Sequence, residues 1–315
     1  MKSHFSIILL AISSLFIASS CSSDNGNEPT PPSAPDPTPS QPNHTGSLVE
    51  VEVISYNPSP GQFINEIPEY EPGDTQSTLN AKAEAALNNG DMVSLGAFGG
   101  NIVLKLKRPI ENKAEARDFR VRGNAYYTSA NDATPLLGNS EPGIISVSRD
   151  DNGNGLADDK WYIIKGSETA TPYIITYELL HIDGATPDYE IGWYDEQGNG
   201  GTIPILTEFH TQPYYPQWIS EPVIKVTAHR LPDNGYFNEE NGNYEQYCYE
   251  YGYADSHPND SYASCIDIDW ATDATGKSGN LSHIDFIQVH TGVFQINGGL
   301  GECSTEVAGI ETLHK

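Results

Sequence analysis

Basic side chains are scarce in this chain: 16 lysines and arginines stand against 43 aspartates and glutamates, a formal net charge of −27. No cluster of Lys or Arg stands out, so the surface repels phosphate backbones and anionic lipid heads. That sets nucleic acid aside as a partner and leaves neutral ligands or metal cations. Enzyme signatures are missing as well. The chain has no P-loop and no G-x-G-x-x-G fingerprint. Ser140, within Gly138-Asn139-Ser140-Glu141-Pro142-Gly143, lacks the second glycine of a G-x-S-x-G elbow. His181, His210, His229, His257, His283 and His290 show no H-E-x-x-H or other paired ligand spacing, and each reads as an ordinary surface or core histidine. No repeat with a period of about 20 to 50 residues is present, which argues against a propeller or solenoid.

Long apolar runs are absent too. The run from Phe5 to Ala18 has an apolar core of about a dozen residues, too short to cross a bilayer. With Met1 and Lys2 before it and Ser19, Ser20 and Cys21 after it, residues 1–20 read as a secretory signal. A cysteine directly after small residues is the pattern of a bacterial lipoprotein, in which Cys21 is acylated and becomes the new N-terminus. Ala18 departs from that pattern, standing where leucine is more usual, and ordinary secretion with cleavage nearby is the alternative. Residues 21–46 are rich in Pro, Ser, Asn, Thr and Asp, with Pro29, Pro31, Pro32, Pro35, Pro37, Pro39 and Pro42 among them. Such a stretch cannot bury enough surface to offset its ordering entropy and favours extended polyproline II, a disordered tether.

Cysteine is sparse beyond Cys21: only Cys248, Cys265 and Cys303 follow. In an oxidising exterior a Cys248–Cys265 disulfide is one reading and three buried thiols the other, since spacing does not decide connectivity.

Residues 47–315 show no proline- or serine-rich break and are expected to form a single β-sandwich domain, with a split near Pro187 as the alternative. Short segments bounded by Gly, Asn, Asp or Pro read as strands: 49–56, 100–106, 118–123, 143–148, 160–165, 173–179, 191–195, 223–229, 265–270 and 284–291. One helix interrupts them. Asp74 is the expected N-cap, Leu79, Ala83, Ala86 and Leu87 form one apolar stripe, and Asn89-Gly90 supplies the stop. The expected class is therefore all-β, a jelly-roll-like β-sandwich with one short helix.

The sharpest chemical motif runs from Asp150 to Asp159. Asp150, Asn152 and Asn154 alternate, Gly155 permits a sharp bend, the Leu156 carbonyl falls at the seventh position and Asp158 at the ninth. Ca²⁺ wants six to eight hard oxygens on a tight curve, and this spacing provides them. The twelfth position is Trp161 rather than the bidentate Glu of an EF-hand, and strands rather than helices flank the loop, so Asp159 or an acid from elsewhere would complete the shell. A structural Ca²⁺ here would rigidify a hairpin; the alternative is a solvated Asn-Gly turn with incidental acids.

Other constellations are aromatic or acidic. Tyr214, Tyr215 and Trp218, spaced by prolines, suit stacking on a sugar ring or another flat ligand; Tyr247, Tyr249, Tyr251 and Tyr253 would share one strand face. Core packing is the alternative for both sets. Asp267 and Asp269, two apart on an expected strand, would also share a face, as an acid–base pair, a metal ligand set or a solvated surface.

Several segments together carry a family resemblance. They include Tyr56-Asn57-Pro58-Ser59-Pro60-Gly61-Gln62-Phe63, Val93-Ser94-Leu95-Gly96, Glu141-Pro142-Gly143-Ile144 and the loop ending Asp159-Lys160-Trp161-Tyr162. Tyr214-Tyr215-Pro216-Gln217-Trp218, Gly252-Tyr253-Ala254-Asp255-Ser256-His257-Pro258-Asn259-Asp260 and Gly301-Glu302 to Glu306 continue it. In these the chain resembles cell-surface lipoproteins of anaerobic Gram-negative bacteria, some of which carry a PKD label; no separate PKD module can be delimited in this chain. The resemblance implies lipid anchoring at the outer membrane, exposed on the cell surface, with Ser22-Ser23-Asp24 similar to export signals of such bacteria. It also implies company with a TonB-dependent transporter, including those for corrinoids. The expected function is a non-enzymatic, calcium-stabilised lipoprotein that captures a small nutrient, a corrinoid or glycan. A carbohydrate-active enzyme, glycoside hydrolase or lyase, and an adhesive or structural surface module are the alternatives.

Overall fold

A computed structural model describes residues 46–130, 133–208 and 210–314. The expected signal, tether and acylated Cys21 lie outside the described residues.

The longest strands gather in a seven-stranded sheet. Its order is Ala271–Thr272, Trp161–Ile164, Gly143–Ser148, His283–Thr291, Asn101–Glu111 and Val51–Asn57, with Tyr253–Ala254 also pairing Gly143–Ser148. Every pairing is antiparallel. Alternation explains its faces: in Asn101–Glu111, Ile102, Leu104 and Leu106 are buried while Asn101, Val103 and Lys105 between them are half-open. The first set joins Ile145, Val147, Ile287 and Val289 in the main core, against helix residues Leu79, Ala83 and Leu87.

That helix, Gln76–Asn89, is the only α-helix among the described residues. Its N-cap is Thr75 rather than Asp74: the Thr75 hydroxyl accepts from the Thr78 amide, and the Thr78 hydroxyl accepts from the Thr75 amide at 2.6 Å. Asp74 instead accepts from the Glu71 amide and pairs with Lys82 at 2.7 Å. Gly90, at φ +80°, ends the helix. Asn80, Glu84 and Asn88 recur every four residues and bond the free edge of Val51–Asn57. Asn88 accepts from the Val51 amide and donates to the Val51 carbonyl, both at 2.8 Å, and Glu84 accepts from the Val53 amide at 2.9 Å. An exposed sheet edge is an aggregation hazard, and here side chains substitute for a neighbouring strand.

A second sheet, ordered Gly200–Ile203, Tyr189–Asp195, Thr171–His181 and Val223–Arg230, contributes Ile175, Tyr177, Ile191 and Ile203 to a separate apolar cluster with Phe98 and Phe294. A four-stranded sheet orders Gly235–Asn238, Asn243–Tyr247, Leu137–Asn139 and Tyr126–Tyr127. Ser47–Val49 and Phe119–Val121 flank Ile310–Thr312 in a three-stranded sheet, and Glu306–Val307 pairs Val93–Ser94. Antiparallel strands in several sheets with one helix make the described part all-β and sandwich-like.

The expected strand at 265–270 does not form. Cys265 and Ile266 lie outside the longer strands, Asp267 caps a 3₁₀ turn over Ile268–Trp270 by accepting from the Asp269 amide, and only Ala271–Thr272 pairs in the sheet. The alternating Ile-Asp-Ile-Asp pattern fits a strand equally well, but an Asx side chain can satisfy the backbone locally and wins here.

Candidate functional site

The open face of the seven-stranded sheet faces the outer strand of the second sheet, Val223–Arg230, across a cleft of about 570 Å³. Its floor follows from register. Ile163, Ser146 and Gln288 lie side by side on three adjacent strands, and Asn101 lies opposite His290 two residues further along. Side chains directly opposite share a face, so hydroxyl, amide and imidazole groups form one polar patch. Trp161 adds an aromatic side chain. Burial holds His290 well below the ordinary imidazole range, at about 4, so it stays neutral at neutral pH while its Nε2 lies 3.0 Å from the His229 carbonyl. No aspartate or glutamate lines the cleft.

Trp161 enters this cleft directly after the acidic hairpin. The loop joins Gly143–Ser148 to Trp161–Ile164, and Trp161 Nε1 donates to the Ala157 carbonyl at 3.4 Å. Asp150 accepts from the amides of Asn154 (3.1 Å) and Gly155 (2.8 Å), Asn152 from Asn154 (2.9 Å), and Asn154 from Leu156 (2.7 Å). Gly155 stands at φ +73°, the left-handed conformation its sixth-position role requires. The side-chain amides of Asn152 and Asn154 both donate to Asp158. The structure thus brings Asp150, Asn152, Asn154 and Asp158 together, and Asp159 keeps one buried carboxyl oxygen without a hydrogen-bond partner. Leu156 is exposed.

A second acidic site has no counterpart in the spacing of the sequence. Glu141, Asp255 and Glu306 offer carboxylate oxygens that all lie within 4.8 Å of one another. Asp255 is braced by the Asn124, Ala125 and Glu306 amides at 2.8, 3.0 and 3.0 Å, and Glu141 accepts from the Ser304 amide at 3.0 Å. Glu306 accepts from the Ser304 hydroxyl at 3.1 Å and the Asn124 side-chain amide at 3.2 Å. Glu141 and Asn124 line a cavity of about 430 Å³ together with Glu302, which is 3% exposed. Glu302 Oε1 accepts from the Gln62 amide at 2.5 Å; its Oε2 and the Asn124 Oδ1 are buried with no partner. Burial pushes the Glu141 and Glu302 carboxyls up to about 8, Asp255 to about 6 and Glu306 well above the ordinary range. The charges acting on Glu141 and Glu306 are other carboxylates. Two unit charges at such a distance repel by about 3 kcal/mol at an effective dielectric of about 20.

The aromatic candidates sit elsewhere. Tyr214 and Tyr215 are fully buried in the second apolar cluster, their hydroxyls bonded to the Leu206 amide and the Glu221 carbonyl, so neither offers a face to a ligand. Trp218 stacks near Tyr56 and Tyr70 and donates to Gln76. Tyr214 and Tyr215 thus serve packing, while Trp218 stays half-buried beside the helix. Tyr247 ends a strand, Tyr249 and Tyr253 are buried in a third cluster, and Tyr251 packs on Trp270; they do not form a ladder on one strand. Asp267 pairs with Arg117 at 2.8 Å, and Asp269 accepts from Asn112. The Cys248–Cys265 bridge is absent: both are free thiols, as is Cys303, and Cys265 Sγ accepts from Arg120.

Spacing could not reveal Glu141, Asp255, Glu302 and Glu306, which come from three distant segments. One local signal was present: Ser304–Ile310 is a small and apolar run apart from Glu306, and an acid inside such a run must be paired, protonated or coordinated when buried. Comparison with protein-family models and with curated proteins returned no match. Function therefore rests on the geometry of these sites.

Proposed function

We propose that the chain is a non-enzymatic binding protein that captures a small neutral nutrient, a glycan before a corrinoid, in the cleft beside Trp161. The cleft carries this reading: an aromatic side chain stands beside hydroxyl, amide and imidazole groups, with Lys225 on the wall from the second sheet and no carboxylate in the lining. Such a surface matches the apolar faces and hydroxyl edges of a sugar ring. A volume of about 570 Å³ falls within the range of small-ligand sites, and a saccharide of one or two rings suits it better than a whole corrinoid. Glycoside hydrolysis uses two acids flanking one bond, and no aspartate or glutamate lines the cleft.

In this reading Ca²⁺ in the Asp150–Asp159 hairpin stiffens the turn that delivers Trp161. Residues 1–46 place the domain at the outer membrane surface through Cys21, beside a TonB-dependent transporter that receives the ligand. Titration calorimetry against mono- and disaccharides and a corrinoid tests the reading. Saturable binding of at least one member without turnover is expected. Silence across the panel contradicts capture, and cleavage of a bound saccharide replaces it with enzymatic action.

A further inference from the structure

We propose that Glu141, Asp255 and Glu306 hold a hard divalent cation, calcium, at a buried site separate from the hairpin, with Glu302 and Asn124 supplying further oxygens from the cavity wall. Three observations carry this. The three carboxylates converge within 4.8 Å, a spacing that one ion between them would neutralise. Glu302, 3% exposed, lines the same cavity as Glu141 and keeps Oε2 without any partner. Asn124, already bonded to Glu306 through its amide nitrogen, keeps its oxygen unpartnered on that cavity as well.

A buried polar oxygen without a partner is rare in native structures and asks for a physical reason. Here two occur on a cavity that Glu141 also lines, and the three converging donors are carboxylate oxygens, with the buried Cys303 thiol nearby but outside that group. That set selects a hard cation over zinc or copper, which favour nitrogen and sulfur. Calcium suits it better than magnesium because the groups come from four separate segments, and calcium tolerates irregular shells of six to eight oxygens. The backbone amides holding Asp255 and Glu141 orient their carboxyls in advance, as outer hydrogen bonds do at metal sites. The cavity reaches the cluster at Glu141.

The test removes the hairpin first. Chelator-treated protein carrying Asp150→Asn and Asp158→Asn is titrated with Ca²⁺ alone by calorimetry and thermal melting. The expected result is one calcium per chain and a melting temperature that rises with calcium. Adding Glu306→Gln abolishes both while leaving the chelated melting temperature unchanged or higher, because the amide relieves repulsion among the acids. Glu302→Gln, which keeps the Oε1 acceptor for Gln62, weakens calcium binding at least tenfold. The proposal is overturned if the hairpin variant binds no calcium. It is equally overturned if folded Glu306→Gln and Glu302→Gln proteins bind calcium as the hairpin variant does. Should Glu306→Gln fail to fold, the Glu302→Gln titration decides alone.

Discussion

Two acidic regions of this molecule could scarcely be built more differently. In the hairpin at Asp150–Asp159 the oxygens come from one short segment, mostly exposed; those of Asp150, Asn152 and Asn154 accept from the loop's own amides, and one Asp159 oxygen alone is buried without a partner. In the Glu141–Asp255–Glu306 cluster they come from three segments distant in the sequence, lie close together, and leave neighbouring oxygens of Glu302 and Asn124 unpartnered. Solvent can screen the first set; only protons or a cation can neutralise the second. Local spacing therefore announces a loop whose need for an ion is modest, whereas the fold creates a need that no local pattern records.

Substitutions should separate the two regions. The largest effect is expected at Asp255, whose carboxylate satisfies three backbone amides: Asp255→Ala strands them and should cost about 4 kcal/mol in urea unfolding without calcium, and more with it. A loss below about 1 kcal/mol would show that the brace is dispensable.

Burial also acts on His290, and here the sign differs from that of the acids. Its folded value of about 4 lies below the ordinary 6.5, so the unfolded chain binds the proton more tightly. Its stabilisation is full above pH 6.5 and lost as pH falls through about 4, amounting to about 3 kcal/mol. His290→Gln should flatten that part of the stability–pH curve; an unchanged slope would assign it elsewhere.

The smallest effect belongs to the hairpin. Gly155→Ala forces a side chain into φ +73° and brings its Cβ within 2.8 Å of Lys105 Nζ, for a loss of about 1 kcal/mol. The same change should weaken calcium binding at the hairpin and leave the buried cluster's titration intact. Equal weakening at both would break the comparison.

The same contrast explains what was legible in the sequence. Most long strands and the helix could be read because periodicity is local: Gly143–Ser148 coincides with its expected range, and the buried stripe Leu79, Ala83, Leu87 follows the helical repeat. The convergence of Asp150, Asn152, Asn154 and Asp158 was legible for the same reason. Tyr214 and Tyr215 misled because an aromatic, proline-spaced segment has the same composition whether it lines a pocket or fills a core. Asp267 misled because its side chain replaced a strand partner with its own turn. The cleft floor, assembled from four strands, required the register of the sheet.

Capture of a saccharide in the cleft depends most directly on Trp161. Saccharide binding should be measured by calorimetry in calcium for the unaltered chain and for Trp161→Ala, with thermal melting of both as the control for folding. Loss of the aromatic side chain from a folded protein is predicted to weaken binding tenfold or more. Equal affinity in the two folded proteins would place the ligand outside the cleft and contradict the account.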